Sequence, residues 1–271
     1  MTTKKTTILD LPRMKREGSK ITMLTAYDYQ TARILDACDV DVLLVGDSVG
    51  SVLAGYDNTL PVTVDEIIYH CRAVARGRSR ALLVADMPFM SYQTSIEDAK
   101  RNAGRMIKEG FAEAVKLEGG ITMTDTIKAL TDIDIPVMGH VGLTPQSIHR
   151  LGGYKVQGQE KKQRDKLLAD ALAVEDAGAF AVVLELMNAD VAREITAEVK
   201  IPTIGIGAGV DCDGQVLVIN DLLGLTGEFR PRFVKRYADL EPVILQAVRA
   251  FVLDVRNNTF PGPEHSFTSK K

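Results

Sequence analysis

Ionisable side chains follow several short apolar segments, at the position where a buried strand would present them to a common space. The segment VLLVGDS at 42–48 is typical, because four aliphatic residues suited to a buried strand precede Asp47 and Ser48. A single aspartate there could simply cap a helix or start a turn. However, the next four apolar segments also end in ionisable residues: Asp86, then Lys116 and Glu118, then His140, then Glu185. This recurrence indicates a functional site.

Three of the four carboxylates among these residues, Asp47, Asp86 and Glu118, predict a metal site. Converging carboxylates repel one another unless a cation or bound protons compensate their charge. The strand-end residues include no cysteine and only one histidine, so oxygen ligation of magnesium or manganese is favoured over zinc. Magnesium keeps positions open that a substrate carboxylate or carbonyl can fill, which predicts a Lewis-acid centre.

The other strand-end residues fit substrate binding or proton transfer. Lys116 and Glu118 should face the same side of one strand, where the lysine would neutralise a substrate carboxylate or form a salt bridge with an acid. Glu185 has apolar neighbours within 183–186, so it is a candidate base, with a fourth metal ligand or a buried ion pair as the alternatives. The role of His140 stays open between an acid, a hydrogen-bond donor and a core residue.

The elements that must position these residues alternate between strand and helix patterns. Eight apolar runs rich in β-branched residues predict strands at 21–26, 42–46, 81–86, 113–119, 135–142, 180–186, 201–209 and 215–221. Segments with a 3.6-residue apolar rhythm lie between them, at 29–37, 64–75, 96–107, 123–130, 167–177 and 191–199. This order predicts a (β/α)₈ TIM barrel, in which the carboxyl ends of the strands share one mouth.

An open doubly wound sheet is the alternative arrangement of these elements. Its dinucleotide fingerprint is weak, because the glycine-rich GIGAG at 205–209 comes only at the seventh strand and lacks a convincing helix behind it. No linker divides the chain, so we expect one barrel domain over 1–271 with a short N-terminal segment. The helical pattern at 242–255 is assigned to the last barrel helix, and the tail from Asn257 to an extended arm.

Composition and charge argue against several classes of protein. The chain of 271 residues has a formal net charge of −3 and only short basic stretches, so nucleic-acid binding is not expected. No apolar run approaches the roughly 18 residues that span a bilayer, and the first residues lack the apolar stretch of a secretory signal. A cytoplasmic location is therefore expected. Cys38, Cys71 and Cys212 are too few and too far apart for a disulfide framework or a zinc site.

Motifs spread over almost the whole chain resemble the ketopantoate hydroxymethyltransferase family. They run in the family's order from MLTAYDYQTA at 23–32 to FPGPEHSF at 260–267. Between these lie VGDSVG at 45–50, TLPVTVDEIIYH at 59–70, ADMPFMSY at 85–92, KLEGG at 116–120, GHVGLTPQS at 139–147, and GIGAG with CDGQVLV within 205–218. The resemblance implies a barrel of the phosphoenolpyruvate/pyruvate type and a homodecamer of two stacked pentamers.

The resemblance also implies a reaction and its residues. A one-carbon unit would pass from 5,10-methylenetetrahydrofolate to 3-methyl-2-oxobutanoate through a magnesium-stabilised enolate, giving 2-dehydropantoate for pantothenate biosynthesis. The implied metal ligands are Asp47, Asp86 and Glu118, and the implied substrate contacts are Asp47, Ser48, Asp86, Lys116 and His140. Glu185 matches the position at which the family has its proton acceptor. Residues 186–188 differ from many relatives, which alters the loop after this carboxylate but keeps the carboxylate in place.

Two other functions compete with this interpretation. A carbon–carbon or carbon–phosphorus lyase on the same barrel would also hold a 2-oxo acid on magnesium, but the GHVGLTPQS and EHSF stretches argue against it. A barrel that only binds a ligand or serves as a scaffold is disfavoured, because acids on successive strands are intact. Exchange of the C3 hydrogen of the oxo acid and metal-dependent turnover would distinguish the three.

Overall fold

Eight short strands close into a parallel barrel in the computed structural model, which describes residues 4–153, 155–227 and 231–268. Each strand pairs with the next one along the chain, and β1 pairs with β8. The strands are β1 (Ile21–Thr25), β2 (Val42–Val45), β3 (Leu82–Asp86), β4 (Ala114–Glu118), β5 (Val137–Gly142), β6 (Ala181–Glu185), β7 (Thr203–Ile206) and β8 (Gly214–Leu217). Each overlaps a predicted run, so the predicted barrel is confirmed.

Side-chain alternation along the strands decides which residues face the barrel interior. Leu82 and Val84 of β3 belong to the buried core cluster. Because successive residues of a strand point to opposite faces, the next inward position on β3 is Asp86. The same two-residue step leads from core residues to further inward polar side chains: Lys116 and Glu118 on β4, His140 on β5 and Glu185 on β6. The apolar core is therefore continued by a polar cluster at the carboxyl ends of the strands.

The helix α1 (Asp10–Glu17) packs at the amino ends of the strands. Its Leu11 is fully buried and lies in the same core cluster as Ile21 and Val42, the first residues of β1 and β2. Gly18 ends the helix with a φ of 71°, a left-handed conformation that glycine adopts without a steric penalty. The short N-terminal segment thus supplies an apolar side chain to the barrel core.

Helices connect the successive strands from β1 to β7, whereas a short loop without a helix connects β7 to β8. They are α2 (Tyr29–Ala37), α3 (Val49–Val52), α4 (Val64–Gly77), α5 (Ile96–Lys108), α6 (Thr124–Thr131), α7 (Ile148–Leu151), α8 (Lys161–Asp176) and α9 (Ala189–Glu198). The six segments predicted from apolar rhythm are confirmed as helices. α8 begins at Lys161 rather than at the predicted 167, since residues 161–166 are exposed and carry no apolar signal. None of the helices in the described ranges has the length and apolar character needed to cross a membrane.

A reciprocal cap shows how local sequence fixes a helix start. The hydroxyl of Thr63 accepts a hydrogen bond from the backbone amide of Glu66, and the Glu66 carboxylate accepts one from the backbone amide of Thr63 at 2.7 Å. This capping box satisfies backbone donors that the first turn of a helix cannot pair. α4 therefore begins at Val64, as its apolar pattern predicts.

The chain divides into two compact units, Met1–Ile219 and Asn220–Lys271. α10 (Ile219–Leu223) starts at the boundary, and the second unit contains α11 (Leu240–Arg256). The helix predicted at 242–255 is present, while its assignment to the barrel and the single domain over 1–271 stay predictions. Within the tail from Asn257, the ring of Phe260 contacts that of Phe251 on α11, with centroids 5.6 Å apart.

Candidate active site

Polar residues at the carboxyl ends of five consecutive strands, β2 to β6, gather into one cluster. Five of them are between 2 % and 6 % exposed, namely Asp47, Asp86, Lys116, Glu118 and His140. The Glu185 side chain is 15 % exposed. Strand register sets Asp86 beside Lys116 and Glu118 beside His140. The structure thus brings the six ionisable strand-end residues together, and their individual roles stay predictions.

Two aspartates and a lysine form the centre of this cluster. The backbone amide of Asp47 donates to Asp86 Oδ2 at 3.2 Å, and Lys116 Nζ lies 2.8 Å from Asp86 Oδ1. Burial and the nearby Asp86 carboxylate raise the pKa of Asp47 to about 7. Burial alone would lower the pKa of Lys116, but the surrounding carboxylates, Asp86 foremost, raise it above its usual value. Lys116 is therefore an ammonium group, and the salt bridge left open by the sequence is present.

The contact with Lys116 indicates which ring nitrogen of His140 carries the proton. Lys116 Nζ lies 3.2 Å from His140 Nδ1, and an ammonium group can only donate. Burial and the lysine charge hold the pKa of His140 well below its usual value, so the ring is neutral. Its proton is consequently assigned to Nε2, which lies 3.2 Å from Glu185 Oε2. His140 also approaches Glu118, with 3.6 Å between Nδ1 and Oε1.

A glutamine that the sequence patterns did not single out joins two acids of the cluster. Gln146 is buried in a 3₁₀ turn, Pro145–Ser147, that follows β5. Its Nε2 donates to Asp47 Oδ2 and to the carbonyl of Met87, both at 2.9 Å. Its backbone amide donates to Glu118 Oε2 at 3.0 Å. One residue therefore holds two of the three predicted metal ligands.

Tyr92 and Gln93 support this glutamine from its other side. The Tyr92 hydroxyl lies 2.8 Å from Gln146 Oε1, and Gln93 Nε2 donates to the same oxygen at 3.1 Å. Burial raises the pKa of the Tyr92 phenol well above its usual value, so the hydroxyl keeps the proton that it donates. The hydroxyl also accepts a hydrogen bond from the backbone amide of Glu118 at 3.1 Å. The available sequence signal was that Tyr92 and Gln146 lie in two of the motifs that carry the resemblance, at 85–92 and 139–147.

Ser48, the predicted substrate contact beside Asp47, is half-buried. Its hydroxyl lies 2.8 Å from the Tyr27 hydroxyl. His70 Nδ1 donates to the Tyr27 carbonyl at 2.6 Å, so a residue of α4 anchors the backbone on which this tyrosine is carried. Neither Tyr27 nor His70 was given a role from the sequence, although both lie in motifs that carry the resemblance.

The cluster holds four carboxyl groups and one ammonium group, which makes it suited to a cation. Burial is the main cause that raises the pKa of Asp47 and Glu185 to about 7 and that of Glu118 well above its usual value. An added cation would favour the ionised forms. In the described part of the chain, no group of three or more His, Cys, Asp or Glu side chains is arranged to hold a metal ion. Asp47 and Asp86 still fit magnesium, which binds through one or two carboxylates and keeps several waters.

Comparison with known proteins identifies close relatives. The family model described as ketopantoate hydroxymethyltransferase matches residues 5–263. A 3-methyl-2-oxobutanoate hydroxymethyltransferase of Syntrophotalea carbinolica is 63 % identical over 265 residues, which is 98 % of this chain and 99 % of that protein. One of the same name from Geobacter sulfurreducens is 62 % identical over 262 residues, covering 97 % and 98 %.

Solved structures with the same barrel are far more distant in sequence. Phosphonopyruvate hydrolase in complex with oxalate and Mg²⁺ superposes with a TM-score of 0.61 at 13 % identity, over 96 % of this chain and 93 % of that one. 2,3-dimethylmalate lyase, a member of the PEP mutase/isocitrate lyase superfamily, gives 0.60 at 16 % identity, over 96 % and 91 %. These neighbours share the (β/α)₈ barrel fold and carry no argument about the reaction.

Proposed function

Because the chain belongs to the ketopantoate hydroxymethyltransferase family, we propose that its strand-end cluster carries out that transfer. A hydroxymethyl group passes from 5,10-methylenetetrahydrofolate to 3-methyl-2-oxobutanoate and gives 2-dehydropantoate, the first committed step towards pantothenate and coenzyme A. The observation that carries this proposal is the buried cluster of acids around Lys116, in a chain 63 % identical to a relative with that name.

Asp47 and Asp86 would hold a magnesium ion, with Glu118 as the third acid of the set. When bound, the ion supplies Lewis-acid polarisation of the carboxylate and keto oxygens of a 2-oxo acid. The support from this chain is the donor chemistry: buried carboxylate oxygens, with the pKa of Asp47 raised to about 7 by burial and by Asp86. Lys116 stands beside Asp86 as an ammonium group and neutralises negative charge where the substrate carboxylate would lie. Ser48 and His140 supply further polar contacts to the oxo acid.

Glu185 is the group that we assign to proton removal from C3 of the oxo acid. Burial raises its pKa to about 7, which matches a general base working near neutral pH. His140 Nε2 lies 3.2 Å from Glu185 Oε2 but makes no hydrogen bond in this arrangement, and because its ring is neutral it does not neutralise the carboxylate by charge. The roles of these residues are thus distinct: Glu185 accepts the proton, and His140 places a neutral ring beside the acceptor.

The transfer balances with one water molecule. The C3–H electron pair forms the new carbon–carbon bond to the methylene carbon of the folate, and Glu185 takes the proton. The methylene carbon is released from both folate nitrogens, water supplies the hydroxyl oxygen, and the two nitrogens end protonated in tetrahydrofolate. The chain's contribution is to hold the oxo acid, generate the nucleophile and limit access of other water.

The direct test is product formation by the purified protein. With both substrates and magnesium, 2-dehydropantoate should form, and its formation should stop after exhaustive chelation and resume when magnesium is restored. Folate-independent cleavage of a 2-oxo acid would identify a lyase instead, and binding without turnover would identify a non-catalytic barrel. The identity to the hydroxymethyltransferases, against 13 % and 16 % to the two hydrolase and lyase structures, favours the transferase.

We further propose a homodecamer that works in the cytoplasm, as the family resemblance and the sequence predict. α11 supports self-association, because several of its large apolar side chains are about half exposed: Val243, Ile244, Leu245, Val248, Phe251 and Leu253. Exposed apolar surface of this kind is typical of interaction sites. Light scattering on the purified protein measures the mass; a monomeric mass at assay concentration would contradict the decamer.

A further inference from the structure

The side-chain amide of Gln146 uses all of its hydrogen-bonding capacity inside the protein. Its two N–H groups donate hydrogen bonds to Asp47 Oδ2 and to the Met87 carbonyl, both at 2.9 Å. Its oxygen receives the Tyr92 hydroxyl at 2.8 Å and Gln93 Nε2 at 3.1 Å. An amide offers two donors and one carbonyl oxygen with two lone pairs, so no hydrogen-bonding position of this side chain is left over.

These partners permit only one orientation of the amide. Donors approach its oxygen, whereas a carboxylate and a carbonyl, which only accept, approach its nitrogen. A flipped amide would direct its oxygen at Asp47 and at the Met87 carbonyl and would leave buried groups unpaired, which is costly. Asp47 therefore receives a donor of fixed direction at Oδ2.

Gln146 acts on a second acid through its backbone. Its amide N–H donates to Glu118 Oε2 at 3.0 Å, and Tyr92 binds the Glu118 main chain as well as the Gln146 side chain. Asp47 follows β2 and Glu118 ends β4, 71 positions later in the sequence, so nothing local couples their side-chain orientations. The turn that carries Gln146 supplies this coupling.

We propose that Gln146 is a positioning residue that holds the Asp47 and Glu118 carboxylates in the orientation required to bind the divalent cation. The proposal rests on the proposed function, because that function makes these acids metal-associated. Residues that hydrogen-bond to metal ligands typically affect metal affinity or activity by about 10- to 100-fold. Gln146 should therefore act on metal affinity even when no substrate is present.

The test is a metal titration of Gln146→Met, which keeps the side-chain length but offers no hydrogen bond. Free Mn²⁺ is followed by electron paramagnetic resonance, and Mg²⁺ is added as the competitor, both without substrates. We expect about 10- to 100-fold weaker binding than in the parent protein. Gln93→Met is the matched control, because it removes one contact to Oε1 and leaves both Nε2 contacts; its affinity should stay close to the parent's.

Tyr92→Phe keeps the proposal testable if Gln146→Met does not fold. It preserves ring packing but removes the hydroxyl that orients the amide, so it should weaken binding in the same direction by a smaller factor. A purely structural role would lower the melting temperature of the variants and leave the metal affinity of the folded protein unchanged. Parent affinity in Gln146→Met, or in Tyr92→Phe where only that variant folds, would overturn the proposal.

Metal binding by the parent protein distinguishes a failure of the Gln146 proposal from a failure of the proposed function. If the parent protein binds Mg²⁺ and the variants bind it equally well, the role of Gln146 is refuted and the proposed function is not. A parent that neither binds the metal nor depends on it refutes the metal assignment of the proposed function, and this proposal with it.

Discussion

Replacing Glu185 by glutamine isolates proton transfer from metal binding. The amide nearly preserves the shape of the carboxylate and can still face His140 Nε2, which lies 3.2 Å from Glu185 Oε2. It cannot accept the C3 proton of 3-methyl-2-oxobutanoate. General-base assistance is commonly worth about 10²- to 10⁴-fold, so exchange of that hydrogen with deuterium oxide should slow on this scale. Magnesium affinity should hardly change, because the Glu185 carboxylate faces His140.

The raised pKa of Glu185 adds a pH dependence to the same prediction. Burial raises it from the usual carboxylic value to about 7. Only the ionised form accepts a proton, and about a tenth of the groups are ionised one unit below the pKa and about nine-tenths one unit above it. Exchange in the parent protein should therefore rise about tenfold from about pH 6 to about pH 8 and then level off. The glutamine variant should lack this rise.

The assay is proton NMR of the oxo acid in deuterium oxide at saturating magnesium, repeated across this pH range, beside a metal titration of the same variant. Glu185→Asp is the matched control, because it keeps a carboxylate but withdraws it by one methylene group and should retain part of the rate. Exchange at the parent rate in Glu185→Gln would refute the assignment and make His140 the next candidate. A collapse of magnesium affinity would instead show that Glu185 is a ligand.

Three further predictions concern the metal, the lysine and the fold. Asp47→Asn or Asp86→Asn should weaken magnesium binding and remove most activity, while circular dichroism shows an intact fold; full activity of the parent after exhaustive chelation would contradict this. Lys116→Met should raise the KM for the oxo acid more than that for the folate in steady-state kinetics, and should lower the free energy of unfolding in urea by about 3 kcal/mol because Asp86 loses its buried partner. Equal rises of both KM values would argue against contact with the substrate carboxylate. Thr63→Ala should cost about 1 kcal/mol in the same urea titration with kcat unchanged, since it removes only the cap of α4; an unaltered unfolding midpoint would contradict the role of the cap.

Much of the site was predictable because strand periodicity is local. Once 82–86 is assigned to a strand, the core residues at 82 and 84 place Asp86 on the inward face, and the same step applies to Lys116 and Glu118. The barrel then brings the strand ends together whatever their separation in the sequence. Fold class and the cluster residues within β3 to β6 therefore followed from local patterns, and the family resemblance supplied the reaction.

The connections inside the cluster were not predictable in this way. Gln146 contacts Asp47 across 99 positions of sequence, and its place depends on a turn that carries no periodic signal. The partner of Lys116 was likewise open, since strand alternation shows which face a side chain occupies but not which acid lies nearest. The polar start of α8 was missed for a related reason, because residues 161–166 are exposed and need no apolar rhythm.

The buried acids of the cluster lower the stability of the fold, and the same acids serve the proposed function. Buried acids with raised pKa values destabilise a fold at neutral pH, because keeping them ionised without partners is unfavourable. Here Lys116 compensates only part of the negative charge, and His140 is held neutral by burial and by the same lysine. An apolar set of side chains would fill the same layer of the barrel at lower cost. Under the proposed function the acids are useful, since a bound divalent cation would offset their charge and Lys116 would remain to meet the carboxylate of the oxo acid.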